Sequence, residues 1–306
     1  MSDLELGSIG SPQANEPQEI EVVSGDQQLE EELTGAEADS RARVTFIKAV
    51  LGELLCTTLF IFINLANGLN FERAKGDAQI VNPVVGALCV GFSSVALIYS
   101  FADVSGANFN PAVTFATIVT RKTTPLKGLC YMAAQLTGAT LACFLLWIIF
   151  PTNVEGKAAP ALVALQRPSD VSVGQMFLME FILTYILVYV IFATAFDTIK
   201  PASPKESGGK PGQRKKLTIY TTSGNTKAGF APIAIGFTLG FLAFIGGSIS
   251  GGAFNPARAF GPALLSGIWS YQWVYWVADF LGAGLAGSTQ LFFGARTTMM
   301  CPPTGQ

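Results

Sequence analysis

The sequence predicts an all-α membrane protein: six transmembrane helices and two re-entrant half-helices arranged as an inverted repeat. Three observations predict it. Six long apolar runs are nearly free of charge, and about 20 consecutive apolar residues suffice to cross a ~30 Å hydrocarbon core. Two further apolar runs follow Asn110-Pro111-Ala112 and Asn255-Pro256-Ala257. Each lasts only about ten residues, or ~15 Å of helix. Finally, the order span, span, half-helix, span occurs twice, and an odd number of full spans per half inverts the second half against the first.

Composition narrows the function classes. Half of the 306 residues are hydrophobic and 13% are charged, which a soluble protein can reach, but not in uncharged runs of this length. The 32 glycines suit membrane helices, where small residues let backbones approach closely. A net charge of −2 gives no electrostatic footprint for nucleic acid. Histidine is absent, which removes the usual proton shuttle, imidazole metal ligand and physiological-pH sensor. Five cysteines, Cys56, Cys89, Cys130, Cys143 and Cys301, form no pairing pattern; the first four lie in apolar runs and read as buried free thiols. No nucleophile–base or metal constellation stands out. The expectation is a protein that is not an enzyme and needs no cofactor or metal.

The elements follow in order. Residues 1–43 hold eleven of the 21 acidic residues and read as a disordered acidic cytoplasmic tail. The membrane domain covers 44–295, and 296–306 forms a short cytoplasmic tail. Span one runs from about Val44 to Asn67 and span two from about Ile80 to Asp103. The first half-helix covers Asn110 to Thr120. Span three covers Leu126 to Phe150 and span four Val173 to Phe196. A basic, Gly/Pro/Ser-rich linker occupies 197–228. Span five covers Phe230 to Ile249, the second half-helix Asn255 to Ser266, and span six Tyr271 to Gly294. Ala134, Gly138 and Ala142, and Gly236 with Gly240, are small-residue stripes expected to serve packing.

Basic residues orient the chain. With the termini inside, cytoplasmic segments hold 14 Lys or Arg and the outer loops hold 4: Arg73, Lys75, Lys157 and Arg167. Both termini are therefore expected in the cytoplasm. Six spans leave the first Asn-Pro-Ala loop entering from the cytoplasm and the second from outside. Irregular backbone at membrane depth is tolerated only where it is buried or lines a cavity.

Asn is a favoured N-cap and Pro a favoured first helical residue, so each box should open a helix. A lone box would mean only a cap; two in matching halves mean more. Capping uses the side-chain oxygens of Asn110 and Asn255 and leaves their NH2 groups free to donate into an opening. The two helix N-termini also place positive dipole ends at the midplane. Arg258, three residues after Asn255, is a guanidinium inside a membrane segment. That is costly and functional by default, with snorkelling to the outer interface as the alternative. Glu53 and Glu180 occupy equivalent places in spans one and four, where a buried carboxylate can serve a proton relay.

Paired Asn-Pro-Ala boxes, the second followed by Arg258, resemble the aquaporins, or major intrinsic proteins, over about residues 44–295. The resemblance implies a passive channel for water across the lipid bilayer, excluding ions and protons, with a pore in each chain of a homotetramer. It also implies that Glu53 and Glu180 accept hydrogen bonds from loop N–H groups, and that Gln135 bonds loop backbone as well. It places Val90, Ala243, Gly252 and Arg258 at the selectivity filter. A water-only pore of this family has an aromatic and a His at the first two places. Three small apolar partners beside Arg258 imply a wider opening, suited to glycerol, urea or ammonia alongside water. Other features point toward water: Ala259 stands where glycerol channels have Asp. The run from Asn255 to Leu264 is most similar to plant tonoplast intrinsic proteins, from which Val90 and Ala243 depart, leaving plasma and vacuolar membranes both open. Asp279 departs from the family's Gly-Pro at 278–279; it is interfacial or bonds a neighbouring loop.

Two rival readings are an ion-coupled secondary transporter of a small solute and a non-conducting membrane adhesion protein. In the linker, Arg214-Lys215-Lys216 precede Thr218. Thr218 is a candidate phosphosite for a basic-directed kinase, with positive-inside charge as the alternative reason for those bases.

Overall fold

A computed structural model describes residues 35–74, 83–150, 158–196 and 226–299. The chain divides into two units, Met1–Val44 and Thr45–Gln306. The tail before Gly35, most of the basic linker with Thr218, and Cys301 lie outside the described residues. In the first unit, residues 35–44 are helical and Arg43 pairs with Asp39 at 3.8 Å. All described regular structure is helical. The long helices are α1 (Gly35–Ala74), α2 (Pro83–Phe101), α4 (Pro125–Ile149), α6 (Val173–Ile191), α7 (Thr226–Gly246) and α9 (Gln272–Met299). The short ones are α3 (Pro111–Val119), α5 (Ala159–Val163) and α8 (Pro256–Ser266).

Hydropathy explains why five of these cross a bilayer. Asp39–Phe71, Pro83–Phe101, Pro125–Ile149, Val173–Phe196 and Gly229–Gly246 are long and apolar enough. The sixth expected span, α9, has 28 residues, ample length at 1.5 Å each. It is less apolar because it carries Gln272, Asp279 and Gln290, all of which face inward and are buried. The outward face of the bundle is the reverse of a soluble surface. Phe92, Trp147, Ile148, Phe230, Phe237 and Phe244 are exposed there, as a hydrocarbon solvent requires.

Close backbone approach at small residues sets the packing. A Cβ on Gly138 of α4 would lie 2.6 Å from the Leu54 carbonyl of α1, and one on Gly282 of α9 would lie 2.4 Å from the Phe181 carbonyl of α6. The inverted repeat is visible in this pairing: α4 leans on α1 as α9 leans on α6. The half-helices follow the same rule, α8 packing on α4 and α3 on α9. Between the halves, Gly91 of α2 meets Gly236 and Gly240 of α7. The two small-residue stripes thus lie at helix contacts.

Some boundaries differ from the expectation. Helix α1 begins at Gly35, inside the stretch read as tail, and α9 continues to Met299. Span four ends in a π-helical turn, Phe192–Phe196. Residues 159–163 form α5 where no element was expected; five residues are too short to show a period. Cys56 and Cys143 are buried free thiols, whereas Cys89 and Cys130 are only half-buried, since an apolar run in a membrane also has a lipid-facing side.

Candidate functional site

The two loops that lead into α3 and α8 have the same backbone. In the first, Gly106, Ala107 and Phe109 have φ of 100°, 48° and 34°; in the second, Gly251, Gly252 and Phe254 have 84°, 57° and 32°. Three left-handed residues, spaced alike, turn each loop sharply just before its Asn. Side chains other than glycine rarely adopt this region, and it persists only where surroundings enforce it. Asn110 and Asn255 then sit extended as N-caps. Asn110 Oδ1 accepts from the Ala112 N–H at 2.9 Å and Asn255 Oδ1 from the Ala257 N–H at 3.0 Å. Pro111 and Pro256 occupy the first helical positions, where a missing N–H costs nothing.

The boxes meet each other. Asn110 Nδ2 donates to the Phe254 carbonyl at 2.7 Å, and Asn255 Nδ2 donates to the Phe109 carbonyl at 2.9 Å. The left-handed residue before each box thereby presents its carbonyl to the opposite box. This corrects the expectation of free NH2 groups: each amide spends one N–H on the other loop and keeps one. Both Asn residues are buried.

Each loop is held from behind by a carboxylate. Glu53 Oε1 accepts from the Ser105 hydroxyl at 2.7 Å and the Asn108 N–H at 2.9 Å. Its Oε2 accepts from the Phe109 N–H at 2.8 Å and Gln135 Nε2 at 2.7 Å. Glu180 accepts from the Ala253 N–H at 3.0 Å and the Phe254 N–H at 2.6 Å. Both carboxyls are 0% exposed, so these bonds stand in for the hydration that burial removes. Hydrogen bonds to an ionised acceptor are roughly twice as strong as neutral ones. Tyr131 and Tyr275 complete the two cradles, donating at 2.7 Å to the Ser105 and Ser250 carbonyls.

Gln135 and Asp279 are placed otherwise than expected. Gln135 bonds no loop backbone; its Nε2 donates to Glu53 and, at 2.9 Å, to Thr114 Oγ1. The loop N–H groups are already taken by Glu53, so the amide serves the carboxylate instead. Asp279 is neither interfacial nor bonded to a loop. It is buried, accepts from Thr184 Oγ1 at 3.1 Å, and meets the Glu180 carboxyl.

Of the four expected constriction residues, Gly252 lies in the second loop against Ala243, and Arg258 lies in the helix that follows. Arg258 is the third residue of α8, and its Nη1 donates at 3.2 Å to the Val163 carbonyl at the end of α5. No sequence signal could have named Val163, since the acceptor is backbone. A Cβ on Gly252 would lie 3.3 Å from the Ala243 carbonyl, and Gly246 sits equally close to Gly252, so the second loop lies against the end of α7. Val90 precedes Gly91, which crosses Gly240 less than one turn before Ala243. All four are half-buried. Below the first box, Asn108, Asn110, Val113, Leu187, Phe196 and Leu239 help to line a cavity of about 20 Å³. That is room for about one water.

With this geometry in place, similarity to known proteins can be read. Residues 40–205 and 216–289 match the family described as Major intrinsic protein. The chain is 58% identical to Aquaporin-B of Dictyostelium discoideum over 267 residues, covering 87% of this chain and 90% of that one. It is 35% identical to Aquaporin TIP1-1 of Zea mays over 261 residues, covering 84% and 92%. In structure it resembles the aquaglyceroporin from Plasmodium falciparum, with a TM-score of 0.64 at 22% identity, over 84% of this chain and 98% of the other. At that identity the likeness speaks for the fold.

Proposed function

The chain belongs to the major intrinsic protein family, and on that premise we propose that it is a passive pore for water together with small neutral solutes such as glycerol, urea or ammonia. Family and fold make it a membrane channel for water or small solutes. The finer proposal is supported chiefly by the contact between the two boxes. Each remaining Asn N–H and the two helix N-termini meet where the loops touch. A neutral molecule passing there is offered donors and a positive end on both sides; a cation is offered only repulsion.

In this reading Arg258, fixed by the Val163 carbonyl, is the cation of the outer constriction. Val90, Ala243 and Gly252 form its small walls. Protons and other ions are turned away by the guanidinium and the dipoles. The charge asymmetry of the loops supports a cytoplasmic position for both termini, and the family implies four chains, each with its own pore.

Stopped-flow light scattering on proteoliposomes tests the solute range, with water, glycerol and urea as permeants. The native protein should pass all three. The double variant Val90→Phe, Ala243→His should lose glycerol while keeping water. Native vesicles that pass water but no glycerol would overturn the wide-pore reading, and native vesicles with no flux above lipid would overturn the channel itself. Solute uptake that needs an ion gradient would favour the coupled transporter.

A further inference from the structure

The second loop is anchored by two acids where the first is anchored by one acid and one amide. The register shows that Gln135 and Asp279 are the same position. Tyr131 and Tyr275 make the same 2.7 Å bond to equivalent loop carbonyls, and Gln135 and Asp279 each follow that tyrosine by four residues. Gly138 and Gly282, three residues further on, make the same approach to the carbonyl that follows each glutamate, that of Leu54 or Phe181. In the first half this position donates: Gln135 Nε2 gives an N–H to Glu53 Oε2 at 2.7 Å.

An ionised aspartate cannot donate. Asp279 is 0% exposed, as is Glu180. Its Oδ1 accepts from Thr184, which stands one turn beyond Glu180 on the same face of α6. Its Oδ2 has no donor, although it is fully enclosed. Thr184 thus ties Asp279 to the turn of α6 that begins with Glu180, and the matching pair of the first half, Gln135 and Glu53, is in contact at 2.7 Å. Among the described residues no salt bridge reaches either acid, and Arg258, the cation whose charge Glu180 feels, is bonded to the Val163 carbonyl. Two adjacent enclosed carboxylates repel each other, which favours a proton on one of them. One proton on Oδ2 would satisfy the orphaned oxygen and the glutamate together.

We propose that Asp279 carries a proton and donates it to Glu180, so that a carboxylic acid performs in the second half the task that the Gln135 amide performs in the first. Asp279 is thus a positioning residue. It acts through Glu180 on the Ala253 and Phe254 N–H groups, and through them on the loop that carries Gly252, Asn255 and Arg258. The pair shares one negative charge and is closed to solvent, so the proton is a structural part and not a passenger on a relay. The arrangement does not depend on which solute uses the pore.

Infrared difference spectroscopy of the reconstituted full chain tests it. The spectrum of native protein minus Asp279→Asn should show the carbonyl stretch of a protonated carboxylic acid, with slow exchange in D2O. A difference containing only carboxylate bands would overturn the proposal. Thermal unfolding in detergent gives an independent reading. Asp279→Asn, which carries a permanent N–H, should keep the native unfolding temperature, whereas Asp279→Ala should lower it. If Asn lowers it as far as Ala, Asp279 is an ionised acceptor and the assignment fails.

Discussion

The first re-entrant loop is surrounded by neutral donors and the second by a proton shared between acids, yet their backbones are alike. Glu53 receives a hydroxyl, two backbone N–H groups and an amide. Glu180 receives the Ser250 hydroxyl and two backbone N–H groups and faces Asp279. The loops also differ at one left-handed position, Ala107 in the first and Gly252 in the second. The difference teaches that the repeat preserves a requirement, an anionic acceptor for two buried N–H groups, and leaves open how that acceptor is itself supported. The side without the amide is also the side that carries Arg258.

The largest effect should come from removing either acceptor. Glu53→Leu and Glu180→Leu each orphan a serine hydroxyl and two backbone N–H groups, together with the Gln135 amide in the first half and the proposed Asp279 proton in the second. At about 1–3 kcal/mol for each unsatisfied buried group, both should lose most folded protein, to a similar degree. Monodisperse yield and unfolding temperature in detergent measure this. A large loss for one variant with little for the other would contradict the matched anchors.

Giving the first loop the chemistry of the second should cost less. Gln135→Glu should lower stability by about 1–3 kcal/mol, because the new carboxyl must keep a proton to serve Glu53 and Thr114. A stable variant with no additional protonated-carboxyl band in the infrared would show that the two anchors are not interchangeable.

The smallest effect concerns the left-handed position. Ala107→Gly should raise stability by up to about 1 kcal/mol, by relieving a side chain held at positive φ. Gly252→Ala should cost about as much. It should also reduce glycerol flux, since its Cβ would enter beside the Ala243 carbonyl. Thermal unfolding and light scattering read the two outcomes; a stabilising Gly252→Ala would contradict the matched backbone.

Much of the fold was legible because its signals are local. A span announces itself by uninterrupted apolarity, and Asn-Pro opens a helix by capping its own first turn, so α3 and α8 begin where Asn110 and Asn255 indicate. Glu53 and Glu180 stood out as acids in apolar runs. Helix α5 and its Val163 carbonyl did not, because a backbone acceptor leaves no residue signature. Gln135 was expected on the loop backbone, and nothing in its neighbours told that Glu53 had already filled those N–H groups. Asp279 read as an anomaly for the same reason: its partner stands 99 positions earlier.

By itself the sequence determined the menu of elements, their order and the two capped half-helices, since hydropathy and capping act within a few residues. It also determined that the halves repeat. Only the tertiary structure decided that each box's Asn reaches the carbonyl before the other box, that Gln135 serves a carboxylate, and that Asp279 meets Glu180. Those pairings depend on how an inverted repeat brings distant turns within hydrogen-bonding distance. In a buried interior most polar atoms must then find their partners among whatever the fold places beside them.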